Sequence, residues 1–245
     1  MEKLSNLAAK HFLLLHKYVK KMEVVEKYKK SNLNNSDVKW YLFDDKLWIT
    51  KYKTYFEIEK NISNFHGSFN WLYDSNDTVL FNEEGKFETA VIDLAGKIEN
   101  GNLKEYTNII GTGKKGDLFL VEKKYFSFEF SSTIIYSENE DILLSFPLKF
   151  NKRKDLILFI VDDFGFVLKN HQLQGWFLKN SSKHICITEE YNKEITPKIL
   201  ARYLNALRLW AEDEDITELE DLLAESMNED NEFNCALREC ITNLL

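Results

Sequence analysis

Between residues 38 and 188, short apolar runs alternate with polar positions at a period of two, and turn-forming residues interrupt them every few positions. No other feature restricts the fold as strongly. Successive strand side chains point to opposite faces, whereas a helix repeats near 3.6 residues. Runs at 38–43 and 47–52 flank Asp44, Asp45 and Lys46 and predict a hairpin. Further strands are predicted over 67–73, 78–81, 87–94, 106–110, 118–122, 125–130 and 133–136, with a turn at 82–85. Residues 156–161 are unbroken apolar and predict a central strand buried on both faces; 164–169, 172–178 and 184–188 continue the pattern. The expected product is one mostly antiparallel, twisted sheet bent around a core.

The flanks read differently. Over residues 2–30, Leu4, Leu7, Ala8, His11, Leu14, Leu15, Tyr18, Met22, Val25 and Tyr28 recur at helical spacing, and lysines fill the other positions. The plain reading is a packed helix with a solvated Lys face, against a calmodulin-type or membrane-surface helix. The polar stretch 31–37 ends it, because Ser, Asn and Asp side chains compete for backbone hydrogen bonds. Near the other end, Thr196 followed by Pro197 is a helix-start signal. Ile199, Leu200, Tyr203, Leu204, Leu207 and Trp210 then recur at three-four spacing, and Ile216, Leu219, Leu222, Leu223 and Met227 extend the pattern. The expected class is α+β: an N-terminal amphipathic helix, a central mostly antiparallel twisted sheet, and a C-terminal helical segment on or beside that sheet. Residues 1–190 would form the body and 191–245 an acidic helical segment docked on it.

Apolar residues at 44% and aromatics at 14% supply a substantial core. A formal charge of −8 opposes general binding to nucleic acid, whose phosphates attract basic surfaces. Arginine occurs only at 153, 202, 208 and 238, so planar bidentate clamps on phosphate are scarce. Cys186, Cys235 and Cys240 are odd in number and widely set, which suits free thiols in a reducing compartment. With no 18-residue apolar run there is no candidate membrane span, and the expected location is cytoplasmic. No cofactor and no metal is implied, and homo-oligomerisation is left open.

In Gly111-Thr112-Gly113-Lys114-Lys115-Gly116, Asp117 and Leu118 stand where a phosphate loop needs Lys and Ser or Thr. The stretch is expected to be a tight hairpin connection with glycines at positive φ. Asp163-Phe164-Gly165 copies a kinase tripeptide without its companion motifs and is expected to be a turn. Asp117, Glu122 and Lys124 form a D-x4-E-x-K string similar to that of PD-(D/E)xK nucleases, whose chemistry needs two carboxylates on one metal with Lys beside the attacking water. Asp117 falls on the opposite strand face from the other two, unless a bulge intervenes or Glu129 or Asp93 supplies the second carboxylate. This string carries the alternative reading, a metal-dependent nuclease of a bacterial defence system. Residues 109–113 through 116–120, then Ser145-Phe146, resemble the central strands of SUKH-type bacterial immunity proteins. The proline-led entry helix of that family is missing, and the final hundred residues have no counterpart. The resemblance implies binding of a protein partner.

The same direction follows from charge. From 212 to 232 the chain carries eleven acidic residues and no Lys or Arg, on a helical pattern with an apolar stripe. An acidic face steers a cationic partner, and Trp40, Trp48 and Trp71 are candidate aromatic anchors. The leading expectation is therefore a non-enzymatic, immunity-protein or antitoxin-like binding module that neutralises a basic partner protein through Glu212, Asp213, Glu214, Asp215, Glu218 and Asp221. The blander account is a solvated acidic face, or one clasped by the Lys-rich first helix.

Overall fold

A computed structural model describes residues 24–27, 38–43, 45–52, 57, 60–61, 65–67, 77–94, 98–101, 103–122, 130, 133–145, 155–186 and 196–211, with isolated helical positions at 217, 220, 221, 224, 238 and 242. The first strands are β1 (Val24–Lys27), β2 (Lys39–Phe43), β3 (Lys46–Thr50), β4 (His66–Gly67), β5 (Thr78–Phe81), β6 (Phe87–Asp93) and β7 (Ile98–Asn100). After helix α1 (Lys104–Ile110) come β8 (Lys114–Lys115), β9 (Asp117–Leu120), β10 (Ile134–Ser137) and β11 (Ile142–Ser145). The chain continues with β12 (Asp155–Phe159), β13 (Phe164–Lys169), β14 (Gln172–Lys179), α2 (Ser181–His184), β15 (Ile185–Cys186) and α3 (Pro197–Ala211).

The expected single sheet is divided into two large ones and a ribbon. Seven strands run in the order β7-β10-β11-β14-β13-β12-β8, six run β15-β2-β3-β6-β5-β4, and β1 pairs with β9. Pairing is mostly antiparallel, as the alternation predicts, with parallel contacts only at β7–β10, β12–β8 and β15–β2 among the described residues. Hairpins fall where turn chemistry puts them. Leu42 faces Leu47 across the first. In the 82–85 turn Asn82 Oδ1 accepts the Glu84 and Lys86 amides, and Gly85 takes φ 79°.

One face of each sheet builds a common core. Leu47, Ile49, Val79, Phe81, Ala90 and Ile92 of the six-stranded sheet join Tyr136, Leu143, Leu158, Phe164, Phe166, Trp176 and Leu178 of the seven-stranded one. Phe87 spans the join, its ring 5.0 Å from Phe166 and edge-on to it, a geometry worth about 0.5–1.5 kcal/mol beyond area burial. The alternate residues Ile142, Leu144, Ile157, Val167 and Phe177 meet Leu103 and Ile110 from the α1 segment. The seven-stranded sheet is thus apolar on both faces, which explains why β11 and β13 show almost no polar alternation. Trp48 and Tyr52 pack with Phe65 and Leu80 in a separate cluster of the six-stranded sheet. Helix α3 begins at Pro197, with the Ile199 and Leu200 amides on the Thr196 carbonyl, and adds Leu200, Tyr203, Leu204, Ala206, Leu207 and Leu209 to the common core.

Four expectations are corrected. Residues 24–27, expected at the end of the first helix, are strand β1, with Val24 opposite Leu120. Two adjacent β-branched valines favour the pleated surface, and burying Val24 outweighs a helical repeat that reaches it only through Val25. Residues 2–23 lie outside the described residues. The run 106–110 is helix α1 rather than a strand. Leu103, Tyr106, Ile109 and Ile110 form one apolar stripe against the seven-stranded sheet, a period that shows only when Leu103 is included. Gly111 caps that helix at φ −58°, so it is not a left-handed turn residue. Gly113 is required for space instead, because a Cβ there would lie 2.5 Å from both Ile157 Cγ2 and Phe159 Cε2. Finally, the apolar run at 156–161 is not central. β12 has only two-residue β8 beyond it, while β14 holds the middle of the sheet. Burial on both faces made the run apolar, and that does not require a middle position.

Candidate functional site

Of the six carboxylates expected to bind a partner, Asp221 is described, in a helical conformation and exposed. Glu212, Asp213, Glu214, Asp215 and Glu218 lie outside the described residues. Thr217, Glu220, Asp221 and Ala224 are all helical and all exposed. Offsets of three, four and seven residues place these positions within one exposed helix stripe, with Glu220 and Asp221 both open to solvent. Leu219, Leu222 and Leu223 occupy the complementary phase of the sequence repeat. Of the candidate aromatic anchors, Trp40 is fully buried in the common core, Trp48 is half-buried in the separate cluster, and Trp71 lies outside the described residues.

The D-x4-E-x-K string is not brought together by what is described. Asp117 opens β9 and lies 2.9 Å from Lys86 Nζ, held there by the bridge between Lys86 and Phe119. Glu122 is exposed beyond the end of β9, and Lys124 and Glu129 lie outside the described residues. Asp93 is buried on β6, with its amide on Asp77 Oδ1 at 3.0 Å. Among the described residues no three His, Cys, Asp or Glu side chains converge as metal ligands would.

The densest polar constellation is one that the sequence patterns did not single out, where the chain leaves the seven-stranded sheet for the other. Asn180, in the left-handed conformation at φ 49°, turns the end of β14 into α2. Two aspartates from neighbouring turns receive it. Asp141, also at φ 49°, accepts the Ser182 hydroxyl at 2.7 Å and the Ser182 amide at 3.0 Å. Its carbonyl accepts the Ser181 hydroxyl at 3.0 Å, and the Tyr136 hydroxyl lies 3.2 Å from its Oδ1. Asp163, in the turn between β12 and β13, takes His184 Nε2 at 2.8 Å and Asn180 Nδ2 at 3.1 Å, with Lys179 Nζ at 3.6 Å. The imidazole of His184 in turn stands edge-on to Trp40 at 4.1 Å, so it joins a turn of one sheet to the core of the other.

Electrostatics follow from that geometry. Burial raises the Asp163 carboxyl, but hydrogen bonds from His184 and Asn180 and the nearby His184 and Lys179 charges outweigh it, holding it below the usual range. Burial, then the Asp141 charge, pushes the Tyr136 hydroxyl well above its ordinary range. Chemically the arrangement is a clasp. Ser182 Oγ directs its proton to Asp141 and His184 Nε2 its proton to Asp163, so those atoms do not form a nucleophile–base pair. The available sequence signals were the Asn180-Ser181-Ser182 cluster after a strand and the Asp163 turn. Nothing in the spacing ties either to Asp141. No protein-family model matches this chain, and comparison with characterised proteins gives no match.

Proposed function

We propose that this chain is a non-enzymatic cytoplasmic protein-binding module, of the immunity-protein or antitoxin kind, that neutralises a basic partner through its acidic C-terminal helical face. One observation carries the reading. The stretch from 212 to 232 holds eleven carboxylates without a Lys or Arg, and its described positions Thr217, Glu220, Asp221 and Ala224 all face solvent. A one-signed surface of this kind accelerates encounter with a cationic macromolecule and rejects anionic ones. The proposed contact residues are Glu212, Asp213, Glu214, Asp215, Glu218 and Asp221.

The test compares the parent chain with a variant carrying Gln or Asn at those six positions, which moves the formal charge from −8 to −2. Each is used to capture partners from host lysate, and the captured protein is purified and titrated calorimetrically. The expected partner is basic, loses affinity as salt rises, and binds the variant about tenfold or more weakly, equivalent to about 1.4 kcal/mol. Equal affinity of parent and variant at low salt would remove the acidic face from the interaction. Incubating the parent with DNA or RNA and magnesium or manganese separates this reading from the nuclease one. Cleavage abolished by Asp117→Asn would favour the nuclease, and would require Asp117 to be released from Lys86.

A further inference from the structure

We draw no further inference here: the strongest candidate, the Asp141–Ser182 and Asp163–His184 cluster where β14 passes into α2, belongs to the site already described, and its polar groups are taken up in holding that turn.

Discussion

Replacing Gly165 by Ala tests the packing of the seven-stranded sheet at its tightest point. Gly165 lies on β13, opposite Phe159 of β12 on one side and Phe177 of β14 on the other. The missing side chain lets those two rings meet over the glycine, 5.0 Å apart and nearly perpendicular at 77°. A Cβ at this position would overlap the Leu158 carbonyl oxygen and lie 2.6 Å from Phe177 Cζ. The ring can turn aside, but the carbonyl belongs to a paired strand and cannot swing away, so β13 must also shift against β12. Overpacking of this sort costs about 1–3 kcal/mol, and splitting an edge-to-face pair adds about 0.5–1.5 kcal/mol. The expected loss is about 2–4 kcal/mol, or roughly 5–15 °C in Tm for a chain of this size. Gly111→Ala is the matched control: φ is −58°, and the nearest atoms to a new Cβ are 3.5 Å away. An alanine there restricts the unfolded chain without a clash and should be neutral or stabilising by about 0.4–1 kcal/mol. Denaturant midpoints at constant m-value, with thermal melts, measure both. A Gly165→Ala protein that melts with the parent, or equal losses for both variants, would show that the ring pair does not depend on the glycine.

The clasp yields further expectations. Asp163→Ala strips His184 and Asn180 of a charged acceptor and should cost roughly 2–4 kcal/mol in denaturant melts, with faster amide exchange at Ile185; unchanged exchange would detach β15 from the clasp. Ser182→Ala leaves half-buried Asp141 one hydroxyl short and should cost about 1–3 kcal/mol by the same assay. Because the Asp163 carboxyl is held below its ordinary 3.8, its stabilising contribution is complete above that value and fades as pH falls through the lower folded one. Asp163→Asn should therefore flatten the acid limb of a Tm-against-pH curve. Asp45 has the opposite sign. Burial and the neighbouring Asp93 raise its carboxyl against the pull of Lys46, so its contribution is present in acid and lost as pH rises through the folded value. Asp45→Asn should thus gain on the parent from acid to neutral pH, and a constant difference in Tm would refute the assignment.

What could be read from the chain divides along a physical line. Hairpins were legible because each is a local event: alternation fixes the faces, and residues such as Asn82 and Gly85 fix the turn within a few positions. Where a sheet is covered on both sides, alternation disappears, and strand and short helix look alike in an apolar run. Residues 106–110 fell into that ambiguity, as did the place of 156–161 in its sheet. The same ambiguity reaches the resemblance to immunity-protein strands, since Ile109 and Ile110 end a helix and Gly111 caps it. Partition of the strands into two sheets depends on long-range pairing, such as Ile185 beside Trp40. No local signal encodes that choice.

Charge is legible in a different sense. The composition of residues 212–232 fixes how many carboxylates must be solvated or paired, and the exposed Glu220 and Asp221 pair fixes where two of them go. Like charges crowded along a helix repel, so such a segment is stabilised by salt or by a cationic surface and weakened in dilute buffer. That repulsion is common to a partner-binding face and to one kept only for solubility, and the effect on affinity separates the two. If a cation-rich macromolecule is the natural counterpart, substituting the carboxylates raises the stability of the free chain at low ionic strength while lowering affinity for the partner. A face that serves solubility alone shows the first change without the second. Thermal melts at two ionic strengths, set beside the binding titration, distinguish the two, and a variant that loses both stability and affinity would instead mean that the chain's own lysines clasp the acidic helix.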